Sequence, residues 1–379
     1  MSFSPRFFQF CRVPRIAVRL VFATAAFSAP MSNSVKAQTS LPDQRTLPMA
    51  AMTTLVDSLE RSGFSGSIMV ANERDVLLFR TMGVADRTTG RPIVATDRWR
   101  WASVSKQITA ALVLREVDAG RIGLDAHVSK YLPVFRKGAR AGITVRQLLQ
   151  HTSGLPSEDG GPRDPDGMVR VYRERGGDVG DAAYARLCAG PLTTAPGTRF
   201  NYNNCDYLVL GAVLRARTGK STAELLDKVL GPAWSPTATE TVRGYLTADT
   251  AELVFNLATY GAAGAFTGTL QNLLTFDRLL LGTLLSPTAR KELWRGDPKL
   301  GYAALGAWAF ESGLGGCTGP VRLIERRGSI EGIQARNVLM PDRGLVVIMF
   351  TNRADVEFGE VWQGRGLMYD VLSAAACGR

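Results

Sequence analysis

Three short clusters combine residue types that can move an acyl group. Ser103 and Lys106 stand three residues apart in the stretch from Trp101 to Leu114, at the start of an apolar run. Residues three apart on a helix share a face, so an amine at 106 can reach a hydroxyl at 103. A serine hydroxyl needs a base to attack a carbonyl, and a partly desolvated lysine can serve. A helix start also favours negative charge through its free N–H groups and its dipole. The plain alternative is an N-capping Ser103 beside a solvated Lys106. An S-x-x-K pair alone does not separate these, since about one such pair arises by chance in a chain of this size.

The second cluster is Tyr202-x-Asn204, in Arg199 to Asn204, just before a helix expected from about Cys205. A phenol beside a cationic lysine ionises more readily and can shuttle protons, and an asparagine amide can orient that lysine and bind a substrate carbonyl. The alternative is a tyrosine packed on a helix start. The third is Arg326-Arg327-Gly328-Ser329, at the end of a strand. Gly328 lets another backbone approach closely, the Ser329 N–H can stabilise an oxyanion, and Arg326 can grip a carboxylate. Here the alternative is a solvated strand-edge charge.

These residues need elements to position them. Met52, Leu55 and Leu59 have amphipathic helical spacing over Met49 to Ser62. Gly66 to Ala71 and Val76 to Thr81 read as an antiparallel hairpin closed by the polar turn Asn72 to Asp75. Helical patterns follow, from Ser103 to a stop at Gly120 and over Ile143 to Gln150, and Glu158 to Gly167 reads as a surface loop. Strand character returns at Val321 to Glu325, Gln334 to Met340 and Leu345 to Phe350, before a last helix over about Glu360 to Ala375. The economical architecture is α+β (α/β in its layering). One antiparallel sheet is built from both chain ends and flanked by helices, with a mostly helical region inserted. In domain terms, residues 38–102 with 300–379 form a discontinuous sheet domain and 103–299 a helical one. The junction between them is where a cleft is expected.

Composition bounds the rest. Residues 1–37 carry Arg6, Arg12, Arg15, Arg19 and Lys36 with no acid, an apolar stretch from Leu20 to Ala29, and a Val35-Lys36-Ala37 cleavage pattern. That is the form of a secretory signal, so the remainder is expected outside the cytoplasm, in a bacterial periplasm, without a stable membrane span. Without those five basic residues the formal charge falls from +11 to +6, and the remaining basic residues form no run. Basic character alone therefore gives no nucleic-acid site. Cys188, Cys205, Cys317 and Cys377 allow three disulfide pairings. Cys188 with Cys205 is preferred because they flank one loop, and four buried free thiols are the alternative. With His127 and His151 the only histidines and no C-x-x-C, neither a metal nor another cofactor is expected. The partner is a small-molecule or peptide substrate, and the oligomeric state is not legible.

The order and spacing of the three clusters resemble the serine β-lactamase and penicillin-binding-protein superfamily, in its class C-like branch with D,D-peptidases, D-aminopeptidases and esterases. The resemblance runs through Ser103 to Ala111, Gly123 to Asp125, Ser129 to Pro133, Ile143 to Pro156, Pro196 to Asn204 and Pro341 to Asn352. It is weaker at Gly264 to Leu274, and the His151-Thr-Ser-Gly-Leu-Pro156 block is its most specific piece. The resemblance implies an acyl-enzyme on Ser103, with Lys106 and Tyr202 as the proton-transfer pair and Asn204 positioning substrate and lysine. It also implies an oxyanion hole from the N–H groups of Ser103 and Ser329, and a structural His151. The third motif departs from the usual Lys, His or Trp by placing Arg326 there. Arginine keeps the charge but does not relay a proton, so substrate preference is what the change bears on, together with the loop around Glu158 to Gly180.

The leading expectation is thus a serine hydrolase for an ester, amide or β-lactam. A sensor or binding protein that acylates slowly, or not at all, is the second. A Ser-His-Asp hydrolase is rejected, because there is no G-x-S-x-G elbow and neither histidine lies late in the chain.

Overall fold

Asn72 shows how the first hairpin closes: its Oδ1 accepts from the N–H groups of Arg74 and Asp75, an Asx turn joining β1 (Gly66–Ala71) to β2 (Val76–Met82). The structure is a computed structural model and describes residues 49–231, 234 and 242–378. The basic segment read as a secretory signal lies outside the described residues, as does most of the linker after it.

Four strands from the other end of the chain complete the sheet: β3 (Trp308–Gly313), β4 (Pro320–Ile330), β5 (Ile333–Met340) and β6 (Leu345–Thr351). The order is β2-β1-β6-β5-β4-β3, antiparallel throughout. Alternation along the strands divides the core. Ile68, Val70, Val347 and Met349 pack with Met52, Val56, Val371 and Leu372 of the two terminal helices, α1 (Ala50–Arg61) and one over Leu367–Cys377. Met69, Ala71, Ile348 and Phe350 face the other way, into the helical middle of the chain. Both faces are covered, which is why these strands read as continuous apolar runs.

Two helices in that middle region are buried nearly all round, α2 (Ser105–Asp118) and α3 (Cys205–Thr218). A helix apolar on every side belongs inside a protein, and the N-terminal ends of these two deliver site residues.

Three sequence expectations need correction, and one alternative falls. β3 was not expected: its Glu311 and Gly313 face solvent at the sheet edge, so the apolar pattern is diluted. β4 is longer than Val321 to Glu325 and carries Arg326 to Ser329 within it. The last helix begins at Leu367 rather than near Glu360, because Gly364 and Gly366 take left-handed backbone (φ 68° and 102°) that a continuing helix cannot use. All four cysteines are paired, Cys188 with Cys205 and Cys317 with Cys377, so the free-thiol alternative falls and the preferred pairing holds.

Candidate active site

Ser103 sits in a one-turn 3-10 entry, Ala102–Val104, and the α-helix proper begins at Ser105. No side chain caps either start, so Ser103 is not the N-cap that the plain alternative required. Ala102, directly before it, has φ 50°, in the left-handed region that non-glycine residues rarely adopt. Such a position costs about 1–3 kcal/mol and persists only where packing holds it. Trp101 does much of that holding: it is fully buried and its Nε1 donates to the Gly268 carbonyl at 3.1 Å. The turn leaves the Ser103 hydroxyl facing Tyr202 and Lys106.

Lys106 is fully buried, which removes the solvated-lysine alternative. Its Nζ lies 3.2 Å from Ser103 Oγ, 2.6 Å from Asn204 Oδ1 and 2.9 Å from the Ala263 carbonyl oxygen. Burial, reinforced by the charge of Arg326, pulls its pKa below the usual lysine value, with Tyr202 opposing. A neutral amine has two N–H donors, which the two carbonyl-type oxygens take. Its lone pair is then left for the Ser103 hydroxyl, which is the geometry of a general base.

Tyr202 Oη lies 2.8 Å from Ser103 Oγ and accepts from Arg326 Nη2 at 2.6 Å. Desolvation resists ionisation of this phenol, but the charges of Arg326 and Lys106 and the hydrogen bond to Ser103 outweigh it, so its pKa falls below the ordinary tyrosine value. One face of the ring opens to the cleft while the Arg326 and Lys106 charges lie 5.2 and 4.9 Å from its centroid. His151 Nδ1 lies 2.9 Å from Asp206 Oδ2, and its ring packs against Tyr202 with centroids 4.4 Å apart. Burial, with Lys106 and Arg326 nearby, keeps the imidazole neutral. The phenol, not His151, meets the nucleophile, so the His–Asp pair braces Tyr202 and does not act as a triad.

Arg326 is 2% exposed, not a solvated edge charge. Alternation along β4 sends Arg326 and Gly328 toward the Ser103 turn, while Arg327 pairs with Glu325 and Glu360 elsewhere. Arg326 Nε donates to the Ser103 carbonyl at 2.7 Å, so one guanidinium ties nucleophile turn, phenol and strand together. A Cβ on Gly328 would stand 2.7 Å from the Trp101 carbonyl oxygen and 3.2 Å from Ser103 N. Only glycine lets the strand come this close. That approach puts the backbone of β4 beside the Ser103 amide, where a second oxyanion donor is needed, and Ser329 follows as an exposed residue at the cleft.

A cavity of about 310 Å³ opens on Ser103, Tyr202, Asn204 and Ser329. Its far wall draws on the loop around Glu158 to Gly180, which the sequence ties to selectivity without marking its side chains. That loop contributes Asp159, Arg163 and Tyr172, and Tyr260 and Glu331 lie in the same lining. Asn204 Nδ2 donates to Tyr172 Oη at 3.1 Å, fixing the amide whose oxygen holds Lys106. The Ala263 carbonyl had no readable signal, because a backbone acceptor has no side-chain code. A larger hollow of about 450 Å³, between Lys137–Arg140 and Ala189–Leu192, holds none of these groups.

Comparison with known proteins gives the family and the fold. The beta-lactamase family profile matches residues 50–366. Esterase EstB of Burkholderia gladioli is 34% identical over 207 residues, covering 50% of this chain and 51% of that protein. A D-aminopeptidase of Cereibacter sphaeroides (strain KD131 / KCTC 12085) is 29% identical over 203 residues, 51% of this chain and 36% of its own length. The chain thus spans about half or less of the curated relatives it matches. Among solved structures, the D-amino acid amidase of Ochrobactrum anthropi SV3 complexed with L-phenylalanine amide superposes with a TM-score of 0.69. It shares 20% identity and covers 86% of this chain and 97% of that one, a likeness of fold. With the profile spanning most of the sequence, the chain belongs to the beta-lactamase family.

Proposed function

We propose that the chain is a serine hydrolase that forms an acyl-enzyme on Ser103 with an ester, amide or β-lactam. One observation carries the reading: Ser103 Oγ lies 2.8 Å from a phenol with depressed pKa and 3.2 Å from a buried lysine amine. Ser103 Oγ attacks the substrate carbonyl while its proton passes to Tyr202 or Lys106. The carbonyl oxygen becomes an oxyanion facing the N–H groups of Ser103 and Ser329. The tetrahedral adduct collapses, the carbonyl bond to the leaving group breaks, and that group takes the proton back through Tyr202. Water then attacks the acyl-serine, giving its proton to the same base, and the acid leaves with Ser103 restored.

The test is steady-state release of p-nitrophenol from p-nitrophenyl butyrate by the wild type and Ser103→Ala. Sustained release that the variant lacks supports the hydrolase. The sensor reading draws on Arg326, whose bonds to Tyr202 and the Ser103 carbonyl restrain both; a single stoichiometric burst would favour it. Export to an oxidising compartment is part of the same proposal, and the two disulfides support it. Recovery of the chain only from the cytoplasmic fraction of its native cells would contradict it.

A further inference from the structure

The Ala263 carbonyl that takes one Lys106 N–H belongs to a one-turn helix, Gly261–Gly264, too short to hold its own shape. Something must fix it. Helix α2 supplies one hold: besides Lys106, Thr109 Oγ1 donates to the Ala262 carbonyl at 2.8 Å. A second comes from Asp181, in the 3-10 turn Gly180–Ala183, whose Oδ1 accepts from the Ala262 N–H at 2.7 Å. Its Oδ2 accepts from Thr222 Oγ1 at 3.3 Å. Among the described residues no lysine or arginine forms an ion pair with this carboxylate, so the backbone amide is its closest polar partner.

The surroundings are shaped to that carboxylate. Gly211 lies inside α3, where glycine weakens a helix relative to alanine. A Cβ there would overlap the carboxyl group of Asp181. Gly261 has φ 41°, and a Cβ on it would overlap Asp181 Oδ1. Two glycines from separate segments thus leave the space that one side chain fills. Asp181 does not line the cavity at Ser103, so its position has no direct use in acyl transfer.

We propose that Asp181 is a positioning residue for the base. By holding the Ala262 N–H, it sets the Ala263 carbonyl where that oxygen occupies one Lys106 N–H and the amine lone pair is left for Ser103. This role deepens, and rests on, the acyl-enzyme reading. Without the carbonyl, a neutral Lys106 has a spare N–H that can turn to Ser103 Oγ and misdirect the lone pair. The ammonium form loses more, because a hydrogen bond from a charged donor is about twice as strong as one from a neutral donor. Releasing the carbonyl therefore lowers the Lys106 pKa further while it slows the chemistry. The charged and titratable groups around Lys106 are Tyr202, Tyr207, Arg326, Glu158, Asp206 and His151, all retained when only Asp181 is changed.

Asp181 contributes a charge and an acceptor oxygen, and two variants separate them. Asp181→Ala removes both, whereas Asp181→Asn removes the charge and keeps an amide oxygen for the Ala262 N–H. Hydrolysis of p-nitrophenyl butyrate is followed against pH in both and in the wild type. Asp181→Ala should lower plateau kcat about tenfold or more with KM within about twofold, and move the acid limb of kcat/KM to lower pH. Asp181→Asn should recover most of both. A loss of kcat with the limb unmoved, or an Asp181→Asn as slow as Asp181→Ala, would overturn the role. Titration of Lys106 reads the same geometry without turnover, through the NMR resonance of its ε-methylene in lysine-labelled protein, assigned with Lys106→Met. Its pKa should fall by about half a pH unit or more in Asp181→Ala and much less in Asp181→Asn. That result supports the role even if no ester is hydrolysed, in which case the acyl-enzyme reading alone fails. An unchanged Lys106 pKa in Asp181→Ala overturns the role, and Ser103-dependent hydrolysis by the wild type then leaves the acyl-enzyme reading standing. Should Asp181→Ala not fold, Gly211→Ala, which drives a Cβ into the carboxylate from α3, takes its place with the same expected shift.

Discussion

Lys106 has three oxygen neighbours and, when neutral, two N–H groups, so its lone pair can meet only the serine. Lys106→Met should therefore keep the fold and lower kcat for p-nitrophenyl butyrate by roughly 10²–10⁴-fold, the usual worth of a positioned base. An unchanged kcat would leave Tyr202 as the sole base. Arg326 acts on the same proton network from outside. Its charge favours the ionised phenol and the neutral amine, so its removal must raise both pKa values. Because the active form is deprotonated, Arg326→Gln should move the acid limb of kcat/KM to higher pH and cost most below neutrality. Arg326→Lys keeps the charge and should restore the limb in part. A uniform loss with the limb unmoved would assign Arg326 to shape alone.

Strand β4 and the 3-10 turn of Ser103 meet backbone to backbone, and the absence of a side chain at 328 permits it. Gly328→Val should push the strand from the Ser103 amide and lower kcat by about 10²–10³-fold, the effect of losing an oxyanion donor, with far-UV circular dichroism unchanged. This juxtaposition shows how legibility was divided. Ser103, Lys106, Tyr202 and Asn204 were legible only through the order of the motifs together and the family resemblance, and the strands β1, β5 and β6 through apolar runs. Arg326 could be located but not interpreted. A strand position says which face a side chain takes, and only packing told that its face was the nucleophile and not solvent. The loop around Glu158 to Gly180 could be tied to selectivity but its side chains Asp159 and Tyr172 could not, and Tyr260 and Glu331 gave no signal, because the wall is assembled from separate loops where no period marks it.

Among the described residues, strands from early and late in the chain meet in one sheet, and a disulfide fastens the last helix to it. Cys317–Cys377 ties the last helix to the turn between β3 and β4 across a separation of 60 residues. Replacing both with serine should cost about 4 kcal/mol by the loop-entropy relation, read as a lower urea midpoint. Cys188–Cys205 instead anchors the start of α3, next to Asn204. Deep in the core, the Asp277 carboxylate accepts from Asn337 Nδ2 at 2.9 Å, and burial raises its pKa to about 8. An unfolded aspartate titrates near 3.9, so between about pH 4 and 8 the folded chain holds a proton that unfolding releases. Stability from this group is therefore full below about pH 4 and falls as pH rises toward 8. Asp277→Asn should raise Tm at pH 8 by several degrees more than at pH 5; equal shifts at both would contradict the burial effect. The proposed chemistry turns on a covalent bond at Ser103. Intact-protein mass spectrometry after exposure to a fluorophosphonate should show one adduct on the wild type, mapped by peptide digestion to Ser103, and none on Ser103→Ala. Equal labelling of the two, or an adduct on another residue, would contradict it.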